Sequence, residues 1–438
     1  MKSTDQIPTS KLQRTSKLVG TGVRLGANYL KYYGQRLVDD EQKAKEKLNE
    51  NNAADIYDSL KDLKGSALKV AQMLSMERNM LPQAYVDRFS LSQFSVPPLS
   101  APLVRKTLKR YLNEDPERIF DSFDYQAMNA ASIGQVHRAT SDGRALAVKI
   151  QYPGIAESIK SDLALVKPIA LRMFNLGAKE SEKYFKEVEA KLLEETNYII
   201  ELKQSKEITQ ACAHIEGVAF PEYVEALSSE RILTMTYVKG KPLGEWVKTT
   251  FEQEVGDKIG QALWDFYMFQ IHGLRKVHAD PHPGNFLIGE SNELIVIDFG
   301  CIKELPEDFY TPYFELADQA TQSDESLFID KLYELEMLVP SDGPKEVEYF
   351  TKLYKDLLQL FTSPFNRDSF DFGDPTFWEG IGKMAAFFAN DEQLRTMNAN
   401  RGSKHFLYMN RTFFGLYNLL YDLKAKVDTR AFERYMID

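Results

Sequence analysis

The feature that most constrains this chain is the string His278-Ala-Asp-Pro-His-Pro-Gly-Asn285, followed after a short interval by Ile297-Asp-Phe-Gly300. Two prolines with fixed φ and a permissive glycine make the first string a tight, ordered loop rather than a helix or strand. The apolar runs Phe286-Leu-Ile288 and Leu294-Ile-Val-Ile297 then read as the two arms of a short hairpin. Asn285 and Asp298 fall where that hairpin opens, so two oxygen-bearing side chains converge on one point. Mg²⁺ takes hard oxygen ligands in near-octahedral order, and a carboxylate plus an amide oxygen can supply part of such a shell. Isolated Asp and Asn residues are usually turn formers. The joint pattern of Asp280, Asn285 and Asp298 favours metal chemistry over that plainer account.

Composition narrows the classes. At 438 residues, with 43% hydrophobic and 12% aromatic content, the chain can bury one or more substantial cores. A formal net charge of -10 argues against general nucleic-acid binding, because phosphate backbones require a basic surface. Two cysteines, Cys212 and Cys301, give neither a disulfide framework nor a thiolate metal site, which fits a reducing compartment. No run reaches the length of apolar residues that spans a bilayer, and the start lacks the apolar core of a signal peptide. The expected location is cytoplasmic, with peripheral contact at the inner membrane surface as a further expectation. That expectation rests on Lys11, Arg14, Lys17, Arg24, Lys31 and Arg36 interleaved with apolar residues, and on the aromatic stretch 406–417. Aromatics at helical spacing are more commonly core.

Three segments are expected: an N-terminal helical extension over 1–95, a mixed segment over 96–238, and a largely helical segment over 239–438. Ala53, Ile56, Leu60, Leu63, Ala67, Val70 and Leu74 recur at helical spacing, and the prolines of 95–102 interrupt that pattern. Ala145-Leu-Ala-Val-Lys-Ile150 reads as a strand leaving a turn at Ser141-Asp-Gly143. Residues 155–215 return to helical periodicity, and Arg231–Val238 reads as a further strand. Beyond Leu243 helices dominate, apart from the two hairpin arms.

The spacing of Asp280, Asn285 and Asp298 is that of kinase-type phosphotransferases, in which the first residue orients the attacking hydroxyl and the others hold Mg²⁺. Lys149, near the end of an apolar strand, can run its stem through the core and present an ammonium to phosphate oxygens. Glu201 is its expected partner on a following helix. The nucleotide is thus expected to be bracketed by Lys149 and Asp298. Ala130, Ala131, Ser132, Ile133, Gly134, Gln135 and Val136 precede the lysine strand, where a phosphate-cradling loop belongs. Small residues let backbone N–H groups approach phosphates, although alanine takes positive φ less readily than glycine.

Together these strings resemble the UbiB (AarF) family of atypical kinase-like proteins. The residues that carry the resemblance are Lys64–Leu74, Ala130–His137, Ala147–Ile155, Glu195–Glu201 and His278–Asn285, in order, over about residues 60 to 305. The resemblance implies an α+β, protein-kinase-like two-lobed fold, with a small β-rich N-lobe, a helical C-lobe and an N-terminal helical extension. It also implies an Ala-rich loop in place of a Gly-rich one, and a K-x-G-Q motif in which Lys69 and Gln72 match. Glu195 begins the E-x-D motif, and these three residues would couple the extension to the active site. Two positions depart from the family: Ala71 replaces the glycine of K-x-G-Q, and Asn197 replaces the second acid of E-x-D.

The expected activity is that of an atypical kinase or ATPase using ATP and Mg²⁺ on a small-molecule or lipid-linked substrate, such as in isoprenoid quinone biosynthesis, rather than on proteins or nucleic acid. Lys149 would grip the α- and β-phosphates, Glu201 orient it, Asn285 and Asp298 hold the metal, and Asp280 handle the nucleophile. Adenine would lie against the segment ending in Tyr237 and Val238. A scaffold or lipid-handling chaperone switched by ATP without phosphotransfer is the competing class. Aminoglycoside- and choline-kinase-like chemistry shares the loop pattern but lacks the helix of Lys69 and Gln72.

Overall fold

The computed structural model describes residues 24, 27, 28, 30–32, 41–63, 98–130, 133–174, 180–249, 251–390 and 401–435. Lys69, Ala71 and Gln72, and Ala131 and Ser132 of the loop, lie outside them. Contacts divide the chain into two compact units, one of residues 1–203 with 222–237 and one of residues 204–221 with 238–438.

The first unit is built on an antiparallel sheet of β1 (Ser122–Phe123), β2 (Asn129–Ala130), β3 (Gly134–Ser141), β4 (Arg144–Gln151) and β5 (Ile232–Thr236), with β1 and β2 both pairing β3 and the path running on through β4 to β5. The β3–β4 turn forms as its sequence dictates: Asp142 and Gly143 both take positive φ, 50° and 70°. This Asp-Gly pairing matches the right-handed twist of a two-residue hairpin. Apolar residues Leu146, Val148 and Ile150 of β4 fall on one face and are buried. Val104 and Leu108 of helix α1 (Ala101–Leu112) belong to the same core, which keeps water from that face. Between β4 and helix α4 (Tyr198–Ala211) the chain inserts two helices that pack on each other, α2 (Ile155–Phe174) and α3 (Glu180–Glu195).

Asn197 explains where α4 begins. Its side-chain oxygen accepts from the N–H of Ile199 at 3.1 Å and its carbonyl accepts from Glu201 N. An amide satisfies an orphan N-terminal donor as well as a carboxylate does.

The second unit is mainly helical around α5 (Gln253–Met268), whose residues Ile259, Leu263, Trp264, Phe266 and Tyr267 are buried. The helix runs into a π-turn over Phe269–Gly273. There Gln270 is buried and accepts from the backbone N–H of His278 at 3.0 Å, fixing the strand that leads to Asp280. Strand β6 (Lys276–His278) pairs β9 (Ile302–Glu304), and β7 (Phe286–Ile288) pairs β8 (Leu294–Val296). Helices α6 (Pro344–Phe361) and α7 (Lys404–Asp422) follow, and the late strand β10 (Lys426–Asp428) pairs with Ser369–Asp371.

Beyond the hairpin arms, strands Lys276–His278, Ile302–Glu304, Ser369–Asp371 and Lys426–Asp428 correct the expectation of helices alone after Leu243. At three residues each, they are too short for alternation to register in sequence. The aromatic stretch is core: Phe406, Met409, Phe413, Leu416 and Tyr417 of α7 are all buried.

Candidate functional site

In the first unit, Lys149 lies on β4 opposite Val136 of β3 and Leu233 of β5. Its Nζ donates to Glu201 Oε1 at 2.7 Å, and both residues are buried. The ammonium also lies 5.2 Å from the centroid of the Tyr198 ring. Tyr198 and Glu201 are one helical turn apart on α4, so one face of that helix supplies both contacts. The cap at Asn197 fixes the start of the same turn. A buried charge is tolerated only with such a partner, and the pair presents an ammonium of fixed direction.

The described residues of the loop before Lys149 are held closely. Gly134 has no room for a side chain: a Cβ there would lie 2.6 Å from the carbonyl oxygen of Ile150 and 3.0 Å from the Tyr198 hydroxyl. Ile133 is buried and its carbonyl accepts from Tyr152 N at 2.9 Å. Ala130 pairs Gln135 across the β2–β3 ladder. Val136 lies directly across the ladder from Lys149 and shares its face of the sheet.

Gln135 faces the other way. Its side chain is fully buried, accepts from the N–H of Leu99 at 2.8 Å and donates to His137 Nε2 at 2.7 Å. His137 Nδ1 in turn donates to the carbonyl of Asp124 at 2.9 Å, and burial pushes this imidazole below its ordinary pKa. The carboxamide is thus engaged on the opposite face, which leaves the backbone of Gln135 for the contact expected of this loop. Tyr237 is similarly committed: its N–H donates to Ala145 O at 2.8 Å and its ring lies 4.4 Å from the Arg138 guanidinium. Val238 is where the second unit resumes. Glu195 is the last residue of α3 and is half-buried.

In the second unit the loop and hairpin are organised by backbone bonds. The Asp280 carbonyl accepts from His282 N at 2.7 Å and from the Asn285 amide Nδ2 at 2.9 Å. Asn285 O accepts from Ile297 N at 3.0 Å, which brings Asn285 beside the residue that precedes Asp298. With its nitrogen bonded back to the loop, the Asn285 amide has its oxygen left to offer as a ligand. Asp298 Oδ1 accepts from Gly300 N at 2.9 Å, which fixes the turn after it. One amide oxygen and one carboxylate at the same end of a short hairpin fit Mg²⁺, which ordinarily completes its shell with water and phosphate oxygens. Among the described residues no group of three His, Cys, Asp or Glu side chains is arranged to hold a metal without such help.

His278 is fully buried with Nδ1 3.4 Å from the Tyr267 hydroxyl, and burial pushes its pKa down although Asp280 and Asp298 pull the other way. Burial thus favours its neutral form, packed against the Phe299 ring. Phe299 is buried against His278 and Phe220 and anchors the Asp-Phe-Gly turn.

One residue escaped sequence reasoning. Arg411 of α7 donates to Asp280 Oδ1 at 2.5 Å. An arginine in the middle of an aromatic helix, far along the chain from Asp280, carries no spacing signal.

A β-sheet unit with a buried Lys–Glu pair and a helical unit with an Asp–Asn loop and an Asp-Phe-Gly hairpin define a protein-kinase-like fold. The ABC1 atypical kinase-like domain matches residues 91–331, and the chain belongs to that family, the UbiB (AarF) group. It is 26% identical to the probable serine/threonine-protein kinase abkA of Dictyostelium discoideum, over 82% of this chain and 70% of that one. It is 27% identical to the mitochondrial atypical kinase COQ8B of Danio rerio, over 84% of this chain and 60% of that one. With the mitochondrial atypical kinase coq-8 of Caenorhabditis elegans the identity is 30%, over 70% of this chain and 41% of the relative. The chain thus spans between 41% and 70% of the length of these three relatives. Among solved structures, the Rv3197–erythromycin complex from Mycobacterium tuberculosis shares the fold, with a TM-score of 0.62 and 24% identity over 91% of this chain and 98% of that one. Among the described residues no helix is long and apolar enough to cross a membrane.

Proposed function

We propose that the chain binds Mg-ATP and uses it as a phosphotransferase or ATPase on a small molecule or a lipid-linked substrate. The observation that carries this reading is the buried Lys149–Glu201 pair at 2.7 Å, a charge pair that kinase chemistry requires. Lys149 grips the α- and β-phosphates, Asn285 and Asp298 contribute oxygens to Mg²⁺, and Asp280 orients the nucleophile. Bound Mg²⁺ would neutralise charge developing on the transferred phosphoryl group. The COQ8 relatives make isoprenoid quinone biosynthesis the process to examine first, with peripheral membrane contact as part of the same proposal.

The test is the rate of phosphate release from Mg-ATP. Asp280→Asn is expected to lower turnover by roughly 10² to 10⁴-fold while ATP binding persists, as for loss of a positioned acid–base group. Asp298→Asn is expected to lose nucleotide binding as well. Parental rates in both variants would refute the assignment. Mg-ATP binding with no phosphate release, in the parent and with any candidate acceptor, would favour a nucleotide-switched scaffold instead.

A further inference from the structure

Asp280 is held from two sides. Its backbone carbonyl is fixed by His282 N and the Asn285 amide, within the loop itself. Its carboxylate is held by Arg411, which arrives from α7. The two side chains of this pair are 23% and 20% exposed, so the contact is mostly screened from water. The helix is seated along the loop with little slack: a Cβ on Gly415 would press into the Pro281 ring and lie 3.1 Å from the Pro281 carbonyl oxygen. Lys303 of β9 lies 3.9 Å from the centroid of the Tyr408 ring. Tyr408, Arg411 and Gly415 stand at i, i+3 and i+7, one stripe of α7, and all three meet the segment that carries Asp280 or the strand that follows Asp-Phe-Gly.

We propose that Arg411 is a positioning residue for Asp280, fixing the direction of the carboxylate that orients the nucleophile and thereby coupling α7 to turnover. The inference rests on the role given to Asp280 above. An aspartate side chain otherwise has several staggered orientations available, and a charge-assisted hydrogen bond is strong enough to select one. Geometry of this kind carries rate: a small misplacement of a reacting group can cost about 10²-fold. The close seat of Gly415 keeps the guanidinium at a fixed reach, so helix and carboxylate move as one body.

The experiment measures kcat and KM for Mg-ATP hydrolysis by the full chain and by Arg411→Met, Arg411→Lys, Asp280→Asn and the double variant Arg411→Met/Asp280→Asn. Arg411→Met is expected to lower kcat by between about tenfold and 10²-fold, with KM for ATP unchanged. Arg411→Lys is expected to recover most of the loss, because a single ammonium can replace a single N–H···O contact. The double variant is expected to be no slower than Asp280→Asn alone, since Arg411 acts through that carboxylate. Arg411→Met at the parental rate or faster overturns the inference. So does an additive loss in the double variant, or a loss shared by KM and melting temperature that lysine does not restore. A parent whose hydrolysis does not depend on Asp280 removes the role of Asp280 itself; any of the other adverse results removes only that of Arg411.

Discussion

Gly134 is a position where one methyl group decides whether Lys149 can be where it is. The strand next to it offers a carbonyl oxygen at 2.6 Å from any Cβ, and backbone paired in a ladder yields little. Gly134→Ala should therefore cost about 2 kcal/mol, within the range for overpacking, and should push Tyr198 away from the lysine. The checks are a urea unfolding midpoint, expected to fall, and the affinity for ATP, expected to weaken with it. An alanine variant as stable as the parent would show that the strands can part, and would weaken the account of this loop. At this scale the candidate residues Lys149, Glu201, Asp280, Asn285 and Asp298 stand out because each belongs to a short string with fixed spacing, and of these the structure pairs Lys149 with Glu201. For Gln135 the string was recognisable, whereas the bond of its carboxamide to Leu99 on the opposite face was not. Arg411 was illegible, since a contact across 131 positions leaves no local pattern.

At the scale of elements, α7 must start in the right place for Arg411 to reach the loop. Arg401, three residues before the helix, forms a pair with Asp342 through two bonds of 2.6 and 2.7 Å and lies 3.6 Å from the centroid of the Phe350 ring on α6. Both side chains are 3% exposed. The guanidinium holds the Asp342 carboxyl below the usual carboxylate range. Asp342→Asn would leave a buried cation without its counter-charge and should cost about 3 kcal/mol. A lowered carboxyl pKa contributes stability above the unfolded value and loses it as pH falls through the folded one. The deficit of the variant should thus be constant from about pH 5 to 8 and shrink only below about pH 4, where the unfolded carboxyl protonates. Unfolding curves across that range check it, and a deficit that changes between pH 6 and 8 would point to another group. Element type was readable where periodicity was long, as in α2, α4 and α5, and where turn chemistry was explicit, as at Asp142-Gly143. The short strands pairing across the second unit were not, because two or three residues cannot show a period.

For the molecule as a whole, the proposed function draws on both units. The first supplies a cation on a sheet and the second supplies oxygen ligands on a hairpin, and kinase-type chemistry needs both. In sequence the texture changes from β-type runs to helical periodicity near residue 240, whereas the inclusion of residues 204–221 in the second unit leaves no such mark. The Lys69 and Gln72 motif lies outside the described residues, so its expected coupling through Glu195 stays with the sequence.

The most direct test of Mg-ATP binding is the shift in thermal unfolding caused by Mg-ATP, measured for the parent, Lys149→Met and Asp298→Asn. At about 100 times its Kd a ligand stabilises the folded chain by roughly 2.7 kcal/mol. The account predicts a rise in Tm in the parent that requires Mg²⁺ and is lost in both variants; an equal rise in all three, or none in the parent, would contradict it.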